Sequence, residues 1–303
     1  MQLDNIDIRQ LRVFLTVAEC GGFSPAQAEL NISISTISTQ MSDLETRLGL
    51  RLCHRGRSGF SLTSEGERIF RAAQTLFRQI DGFKDQVHDI RHELSGKLSL
   101  GFADNLVTHP SSPITQTLNK LFSTEGSIEI SISVLSPNLL ERELLDQRID
   151  LAIGAFPKHL PGIKYQKLFE EKQTLYCGKQ HPLFKCGNKE LRSIDLKQHR
   201  IAQRGYTAGR PHPSNLTPTN SGAMSYHMEG LVYLVLSGHF LAHLPDHYAK
   251  RWIEDGMLKA LSSAQHDYQS TFETATRSGK PPSPVLREFM RCLDQTFSTE
   301  SQW

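Results

Sequence analysis

The chain has 303 residues, and its 34 Lys and Arg residues against 32 Asp and Glu residues give a formal net charge of +2 at pH 7. This length predicts two or three domains with a buried core, and a charge so close to balance excludes any argument for a partner from net charge alone. The sequence lacks an apolar run of about eighteen residues and a signal-peptide pattern, so we expect neither a membrane span nor export. Five scattered cysteines favour a reducing cytoplasm over a disulfide framework.

Three short helices are predicted in the N-terminal part of the chain. An apolar repeat at helical spacing over residues 8–18 predicts the first helix. Ser24 as a cap with Pro25 in the first turn predicts the start of the second. Ser33 is the expected cap of the third helix, and Gly49 is expected to end it.

The second and third helices are separated by a tight turn, and the outer face of the third is small and polar. This arrangement is typical of a helix-turn-helix, and a plain helical hairpin is the alternative. From Arg47 to Phe60, a segment here called the wing, the chain carries four arginines, three glycines and no acid. Such a loop predicts contacts with phosphates or a minor groove. The candidate DNA-binding residues are Ser33, Ser35, Thr36, Ser38, Thr39, Gln40, Arg55 and Arg57.

A long helix is predicted from Ser64 to Leu94. Its apolar residues alternate at spacings of four and three, which is the 3.5-residue period of a helix supercoiled against a partner. Ser64 and Glu67 have the spacing of a capping box. An ordinary helix buried on its own domain is the alternative, but the length favours a dimerisation helix. The apolar positions are Ile69, Ala73, Leu76, Ile80, Phe83, Val87, Ile90 and Leu94.

Beyond Ser95 the pattern changes to strands that alternate with helices, which predicts parallel βαβ units. The chain is expected to cross twice between two α/β lobes, near residues 155–168 and 265–272. The expected strands are Leu98–Phe102, Ile128–Leu135, Leu151–Gly154, Leu175–Cys177, Arg200–Gln203, Phe240–Leu244 and Tyr268–Thr274. The expected helices are Pro113–Phe122, Leu139–Leu145, Met224–Leu236 and a last one capped by Ser283.

The run from Arg9 to Gly66 resembles the N-terminal domain of the LysR-type transcriptional regulators. The shared features are a leading helix with L..F..V, a G-F-S opening, S.ST.S.Q...LE..LG..L..R, and L-T-x-x-G before the long helix. The later runs Ile149–Gly154 and Gln180–Leu183 fit the same family. The resemblance implies an effector domain related in architecture to periplasmic solute-binding proteins, and a homotetramer whose altered packing changes DNA bending.

The sequence also departs from the family pattern. Ile34, Ser35 and Thr39 stand where the family usually has Gln, Pro and a basic residue. The operator sequence therefore does not follow from the resemblance. Ser237–Phe240 replaces the usual A-G-x-G, so the shape of the ligand pocket is expected to differ.

Ligands of open α/β sheets bind beyond the carboxyl ends of the strands, where loop amides and helix N-termini are free. Polar residues follow the predicted strands in both lobes. The resemblance implies one effector contact at Asn105 and another at Ser136 and Asn138. For each residue taken singly, a helix cap or a turn residue is the alternative. Arg204 and Arg210 favour a small organic carboxylate as the effector. The candidate effector-binding residues are Asn105, Ser136, Asn138, Gln203 and Asn220.

Two other groups of residues, three histidines and two cysteines, do not predict a metal or redox site. His239, His243 and His247 are spaced by four, but Pro245 breaks any helix that would align them for a metal. Cys177 and Cys186 could form a redox pair, although an inert buried thiol is the more common case. The sequence also lacks the nucleotide-binding, zinc-peptidase and hydrolase motifs. We therefore expect no metal, no cofactor and no catalytic residue.

The predicted fold class is α/β with an N-terminal all-α winged helix-turn-helix and a two-lobed periplasmic-binding-protein-like effector domain. The predicted domains are 1–63 for DNA binding, 64–94 for dimerisation and 95–303 for effector binding, with lobe I at 95–165 and 270–303 and lobe II at 166–269. The predicted function is a cytoplasmic, homotetrameric LysR-type regulator that binds double-stranded operator DNA and a small-molecule effector between its lobes. A solute-binding protein would not need the wing, and an enzyme would need a catalytic motif.

Overall fold

A computed structural model describes residues 4–55, 59–90, 94–187, 195–207, 222–261, 266–279 and 281–300. Within these ranges the chain forms two compact units, Met1–Val87 and His88–Trp303. Three of the residues named above, Arg57, Arg210 and Asn220, lie outside the described residues, as do the side chains of Val87 and Ile90. None of the described helices is long and apolar enough to cross a membrane.

The first unit contains the three expected helices, a short antiparallel hairpin and the long helix. Ser33 caps the third helix, because its Oγ accepts a hydrogen bond from the Thr36 amide at 3.2 Å, and Gly49 ends it in the left-handed conformation at φ 66°. The expected Ser24 cap is wrong, since the second helix begins at Phe23 and its cap is Gly22, two residues before Ser24. The elements are α1 (Asn5–Glu19), α2 (Phe23–Leu30), α3 (Ile34–Leu48), β1 (Cys53–His54), β2 (Ser61–Leu62) and α4 (Ser64–Ile90).

The core of the first unit lies between α1 and α3. Phe14, Ile37, Met41 and Leu44 are fully buried there, and each of these positions lies on the apolar face that the helical spacing predicts. The start of α4 also contributes to this core, with Ala73 buried within it. The helix-turn-helix therefore packs on the first turns of the long helix of its own unit.

The start and end of α4 differ from the prediction. The capping box of Ser64 and Glu67 is wrong, because Ser64 is already the first helical residue and Thr63 is the cap. The Thr63 hydroxyl accepts from the Gly66 amide at 2.9 Å and donates to the Arg51 carbonyl at 2.6 Å. The helix ends at Ile90, and Leu94 belongs to the next strand.

The described residues of the second unit form a seven-stranded mixed sheet and a separate two-stranded parallel sheet, Gln203–Arg204 with Met224–Ser225. Strand β3 pairs in parallel with β4 on one side and with β5 on the other, as the βαβ pattern predicts. The returning strand β11 pairs antiparallel with β5 and with the long strand β6. The strands are β3 (Leu94–Phe102), β4 (Gly126–Val134), β5 (Leu151–Gly154), β6 (Ile163–Gly178), β7 (Gln203–Arg204), β8 (Met224–Ser225), β9 (Leu241–Pro245), β10 (Leu258–Ala260) and β11 (Tyr268–Arg277).

Helices cover both faces of the first lobe. Leu121 and Phe289, from the helices before β4 and after β11, pack with Leu151 and Ile153 of β5. Leu140 and Leu144 of the helix after β4 pack with Ala152. Because side chains alternate along a strand, Ala152 faces the opposite side of the sheet from Leu151 and Ile153. The helices of the unit are α5 (Ile114–Phe122), α6 (Pro137–Leu145), α7 (Met228–Leu236), α8 (Asp246–Glu254) and α9 (Pro284–Glu300).

The second lobe differs most from the prediction. The expected strand at 175–177 is the end of the sixteen-residue β6, which runs from one lobe into the other. Helix α7 begins at Met228 rather than at Met224, which is part of the short strand β8. The helix α8 and the strand β10 had not been predicted. As expected, Pro245 ends a strand, so His239, His243 and His247 do not share a helix.

Candidate functional sites

The outer face of α3 carries a network of small hydroxyl groups. Ser33 Oγ lies 2.8 Å from both the Ser35 and the Thr36 hydroxyl, and the Thr39 hydroxyl donates to the Ser35 carbonyl at 3.0 Å. These side chains are exposed. Gln40 is half-buried, and its Oε1 has no hydrogen-bond partner among the described residues. The face therefore offers short polar groups that can reach base edges and phosphates.

Arg55 does not project freely from the wing. Its guanidinium forms an ion pair with Glu45 of α3 at 2.8 Å and lies over the ring of Phe23 at 4.9 Å. It also approaches the hydroxyls of Ser38 and Ser42, each at 3.4 Å. The wing itself has no acid, but α3 supplies one. The absence of acids within the wing therefore does not leave Arg55 unpaired, although the guanidinium remains on the same face as the candidate residues of α3.

A second arginine of the wing has a structural partner as well. Arg47 contacts the buried carboxylate of Asp7 at 2.8 Å and the carboxylate of Asp4 at 2.8 Å. The Asp7 amide and Arg47 lower the pKa of Asp4. This pair holds α3 against the start of α1, so Arg47 is part of the fold.

In the second unit, the candidate effector residues of the first lobe lie at strand ends, as expected. Asn105 follows β3 in a left-handed conformation with φ 63°, and its side-chain amide donates to Glu171 at 3.2 Å. Ser136 and Asn138 follow β4 at the start of α6. The buried Ser136 hydroxyl donates to the Asn138 side-chain oxygen at 2.8 Å, so these two residues are paired with each other.

A buried polar chain connects the lobes. Glu171 and Gln173 lie on β6, are 1% and 0% exposed, and are hydrogen-bonded to each other. Gln173 accepts from Arg204 of the second lobe at 2.7 Å, and Arg204 also donates to the Tyr206 hydroxyl at 3.2 Å. The buried Nε of Arg204 has no hydrogen-bond partner among the described residues. Gln203 precedes Arg204 on β7 and is half-buried.

Two further contacts join the lobes directly. The Asp104 carboxylate accepts from the Met228 amide at the start of α7, and burial raises the pKa of Asp104. Thr108 of the first lobe lies 2.8 Å from His247 of the second. His247 in turn lies 2.8 Å from Glu171.

Glu171 and Gln173 were not among the candidate residues predicted from the sequence. A signal was available, because Phe169, Glu171 and Gln173 alternate along one strand and all three point inward. Polar residues at inward positions of a strand indicate a functional or network role. Cys177 is buried, and burial raises the pKa of its thiol to about 11. That environment suits the inert thiol of the sequence analysis rather than a reactive one.

Comparisons with known proteins agree with this architecture. Residues 8–67 match the model of the bacterial regulatory helix-turn-helix protein, lysR family, and residues 91–298 match the LysR substrate binding domain. The HTH-type transcriptional activator BauR of Pseudomonas aeruginosa is 36% identical over 292 residues, which are 96% of each chain. The transcriptional regulator CrgA of Neisseria meningitidis is 26% identical, with 94% of this chain and 95% of that protein covered.

Solved structures share the fold. Full-length CbnR complexed with target DNA superposes with a TM-score of 0.65 at 20% identity, covering 95% of this chain and 99% of CbnR. A full-length OxyR variant from Pseudomonas aeruginosa gives a TM-score of 0.61 at 20% identity, with 98% of this chain and 95% of OxyR covered.

The fold and its surfaces therefore define a DNA-binding transcriptional regulator with a substrate-binding domain. The chain belongs to the LysR family. The relatives are regulators, which confirms the interpretation of the chain as a regulator rather than an enzyme.

Proposed function

We propose that the protein binds operator DNA with the outer face of α3 and with the wing. The exposed hydroxyl network supports this, because its groups are short and can follow base edges and phosphates in a major groove. Arg55 would join them from its position over Phe23, once its pairing with Glu45 is exchanged for DNA. The proposed contacts are Ser33, Ser35, Thr36, Ser38, Thr39, Gln40, Arg55 and Arg57.

Two chains would pair through α4, and pairs would associate into a homotetramer in the cytoplasm. The support is the apolar period of α4 combined with Phe83, which is 66% exposed in the single chain. A large apolar side chain on a long helix is stabilised when a second helix covers it. We place the DNA-binding domain at residues 1–63 and the effector domain after α4.

The proposed effector is a small organic carboxylate bound between the two lobes. The single observation that carries this proposal is Arg204, which is half-buried and whose buried Nε has no hydrogen-bond partner within the described part of the chain. A carboxylate is the natural partner for such a group because two parallel N–H···O bonds fit its geometry. The remaining contacts would come from Asn105, Ser136, Asn138, Gln203 and Asn220, so that each lobe contributes.

Such an effector would act through the relative stability of two arrangements of the lobes. The Asp104 carboxylate accepts from the Met228 amide of α7, and Thr108 contacts His247, so these two contacts join the lobes. A ligand shifts the balance only if it binds one arrangement more tightly than the other. A carboxylate that contacts Arg204 and Asn105 together would favour the arrangement with the lobes close.

A thermal-shift screen of the purified chain against carboxylate metabolites and their uncharged amides tests this proposal. A true effector at a hundred times its dissociation constant should stabilise the protein by about 2.7 kcal/mol. Arg204→Gln should abolish that shift. The control is Arg251→Gln, which removes a guanidinium that stacks on Trp252 in the same lobe. An effector that stabilises Arg204→Gln as strongly as the wild type would contradict the carboxylate assignment.

A further inference from the structure

Three potential metal ligands meet between the lobes. One ring nitrogen of His109, a carboxylate oxygen of Glu171 and one ring nitrogen of His247 all lie within 4.8 Å of one another. His109 follows the 3₁₀ turn Leu106–Thr108 of the first lobe, Glu171 lies on β6, and His247 lies in α8 of the second lobe. We propose that these side chains bind a divalent cation of the Zn²⁺ type, which holds the two lobes together.

The hydrogen bonds around His247 direct its Nε2 atom toward the proposed metal site. The Thr108 hydroxyl has a single hydrogen, and it donates that hydrogen to the Asn105 carbonyl at 3.0 Å. With its hydrogen on that carbonyl, the hydroxyl accepts from Nδ1–H of His247, which lies 2.8 Å away. In the neutral imidazole, Nε2 then carries a lone pair.

That lone pair faces the Glu171 carboxylate at 2.8 Å. Two acceptors at this separation repel each other unless a positive charge lies between them, so the pair requires either a proton or a metal ion. A histidine whose outer nitrogen is fixed by a hydroxyl or carbonyl partner is the usual arrangement of a metal ligand.

The Glu171 carboxylate is oriented in the same way. The Asn105 amide donates to Oε1 at 3.2 Å, and the Gln173 amide donates to Oε2. Each oxygen retains a lone pair for a metal. Because Glu171 is 1% exposed, its charge is not solvated by water and gains most from a cation held against it.

The distances suit a small tetrahedral ion after a modest adjustment. Ligands about 2.1 Å from zinc are about 3.4 Å from one another in a tetrahedron. The His247–Glu171 separation of 2.8 Å would widen slightly, and the other separations would contract. His109 is stacked on Phe169 at 4.3 Å, and its Nδ1 accepts from the exposed Ser111 amide at 3.2 Å. Binding through Nε2 would require the proton to move to Nδ1, would release that amide to water and would break the hydrogen bond between the ring and the Glu170 backbone. We therefore expect His109 to be the weakest of the three ligands.

The donor set selects the class of cation. Two imidazoles and one carboxylate suit Zn²⁺, Co²⁺ or Ni²⁺, whereas Mg²⁺ and Ca²⁺ prefer oxygen ligands. Three protein ligands leave a fourth position open to water or to a ligand group. The cation would bias the lobes toward the closed arrangement, which is a second input beyond the proposed effector.

The test is a titration of the chelator-treated, full-length protein with Zn²⁺ by calorimetry and with Co²⁺ by visible absorption. We expect one saturable site per chain, and no site for Mg²⁺. Glu171→Gln and His247→Gln should each remove the site, and His109→Gln should weaken it less. Thr108→Val retains every ligand but frees His247 Nδ1, so it should weaken binding by about 10- to 100-fold. The matched control is His239→Gln, which removes an exposed imidazole elsewhere in the second lobe.

The outcomes separate the alternatives. Absence of saturable binding by the wild type would mean that a proton alone joins His247 to Glu171, and would overturn the proposal. Binding that survives Glu171→Gln and His247→Gln, or that disappears in His239→Gln, would place the ion elsewhere and also overturn it. Far-ultraviolet circular dichroism checks the fold of each variant, and the wild-type and Thr108→Val titrations decide the question if the ligand variants misfold. DNA binding by the metal-free protein is a separate measurement, so its result does not depend on the metal.

Discussion

Replacement of Phe83 by alanine should dissociate the protein with little effect on the fold of the single chain. Phe83 lies in α4 and is 66% exposed. An aromatic side chain buries roughly 200 Å², so a partner helix could cover about 130 Å² of Phe83. At about 25 cal/mol per Å² this burial stabilises the dimer by about 3 kcal/mol per chain. A two-fold interface uses the residue twice, so the total approaches about 6 kcal/mol before the retained alanine methyl is subtracted.

The assay is sedimentation equilibrium over a range of protein concentrations. A decrease of about 5 kcal/mol in dimer stability would raise the dimer dissociation constant several thousandfold. Thermal unfolding of the single chain should change by about 0.5 kcal/mol or less, since the side chain is exposed there. Val107→Ala is the matched control, because Val107 is 90% exposed but lies outside α4. A Phe83→Ala protein that remains a dimer with an unchanged dissociation constant would refute pairing through this face.

Three other predictions concern the DNA-binding face, the cleft between the lobes and a buried histidine. Arg55→Ala combined with Arg57→Ala should weaken operator binding and reduce the magnitude of the slope of log affinity against log salt by about 0.9 for each phosphate that is no longer neutralised. An unchanged slope in a salt titration would show that neither arginine contacts the DNA. Asn105→Ala and Gln203→Ala should each weaken effector binding by about 1–3 kcal/mol in a titration, with effector-free DNA binding intact. If both variants bind the effector as tightly as the wild type, the proposed effector site between the lobes is contradicted. Burial lowers the pKa of His181 to about 4, so this histidine stays neutral in the fold while the unfolded chain takes up a proton. Stability should therefore fall by about 2 kcal/mol from about pH 7 to about pH 5, and His181→Gln should lack that part of the pH dependence in chemical unfolding.

The sequence predicted elements well where a local pattern and the final environment agree. Ser33 and Gly49 bound α3 as expected, because a cap and a left-handed glycine depend on neighbouring residues only. The parallel strands of the first lobe were predicted correctly from their apolar pattern, because that pattern also depends on neighbouring residues. The Ser64 cap was wrong because Thr63, one residue earlier, is held by a wing carbonyl, which is a contact distant in sequence.

Patterns were less informative where two environments produce the same periodicity. Ala73 and Leu76 have the spacing of a dimer seam, yet the structure packs them with the helix-turn-helix of their own unit. Apolar spacing identifies a buried face but not what covers it. The alternative of a helix buried on its own domain therefore applies to the first turns of α4, and the exposed Phe83 leaves the later turns available for a partner.

Charged sites depended on residues far apart in the chain. The absence of acids within the wing suggested a free Arg55, but Glu45 reaches it from α3. In the effector domain, Asn105 was predicted as a candidate from its place after a strand, whereas its partner Glu171 lies on a strand that crosses between the lobes. Pairing of this kind is set by tertiary structure, and local sequence patterns do not contain it.

Sequence-specific DNA binding is tested most directly by measuring the affinity of the purified chain for its own upstream intergenic DNA. Fluorescence anisotropy would compare that duplex with a shuffled duplex of equal length and composition at one fixed salt concentration. We expect an affinity for the intergenic duplex at least about 10³-fold higher than for the shuffled one. Gln40→Ala on the α3 face should reduce this preference. Equal affinity for the two duplexes, in the wild-type protein and at physiological salt, would contradict the assignment as a sequence-specific regulator of that DNA.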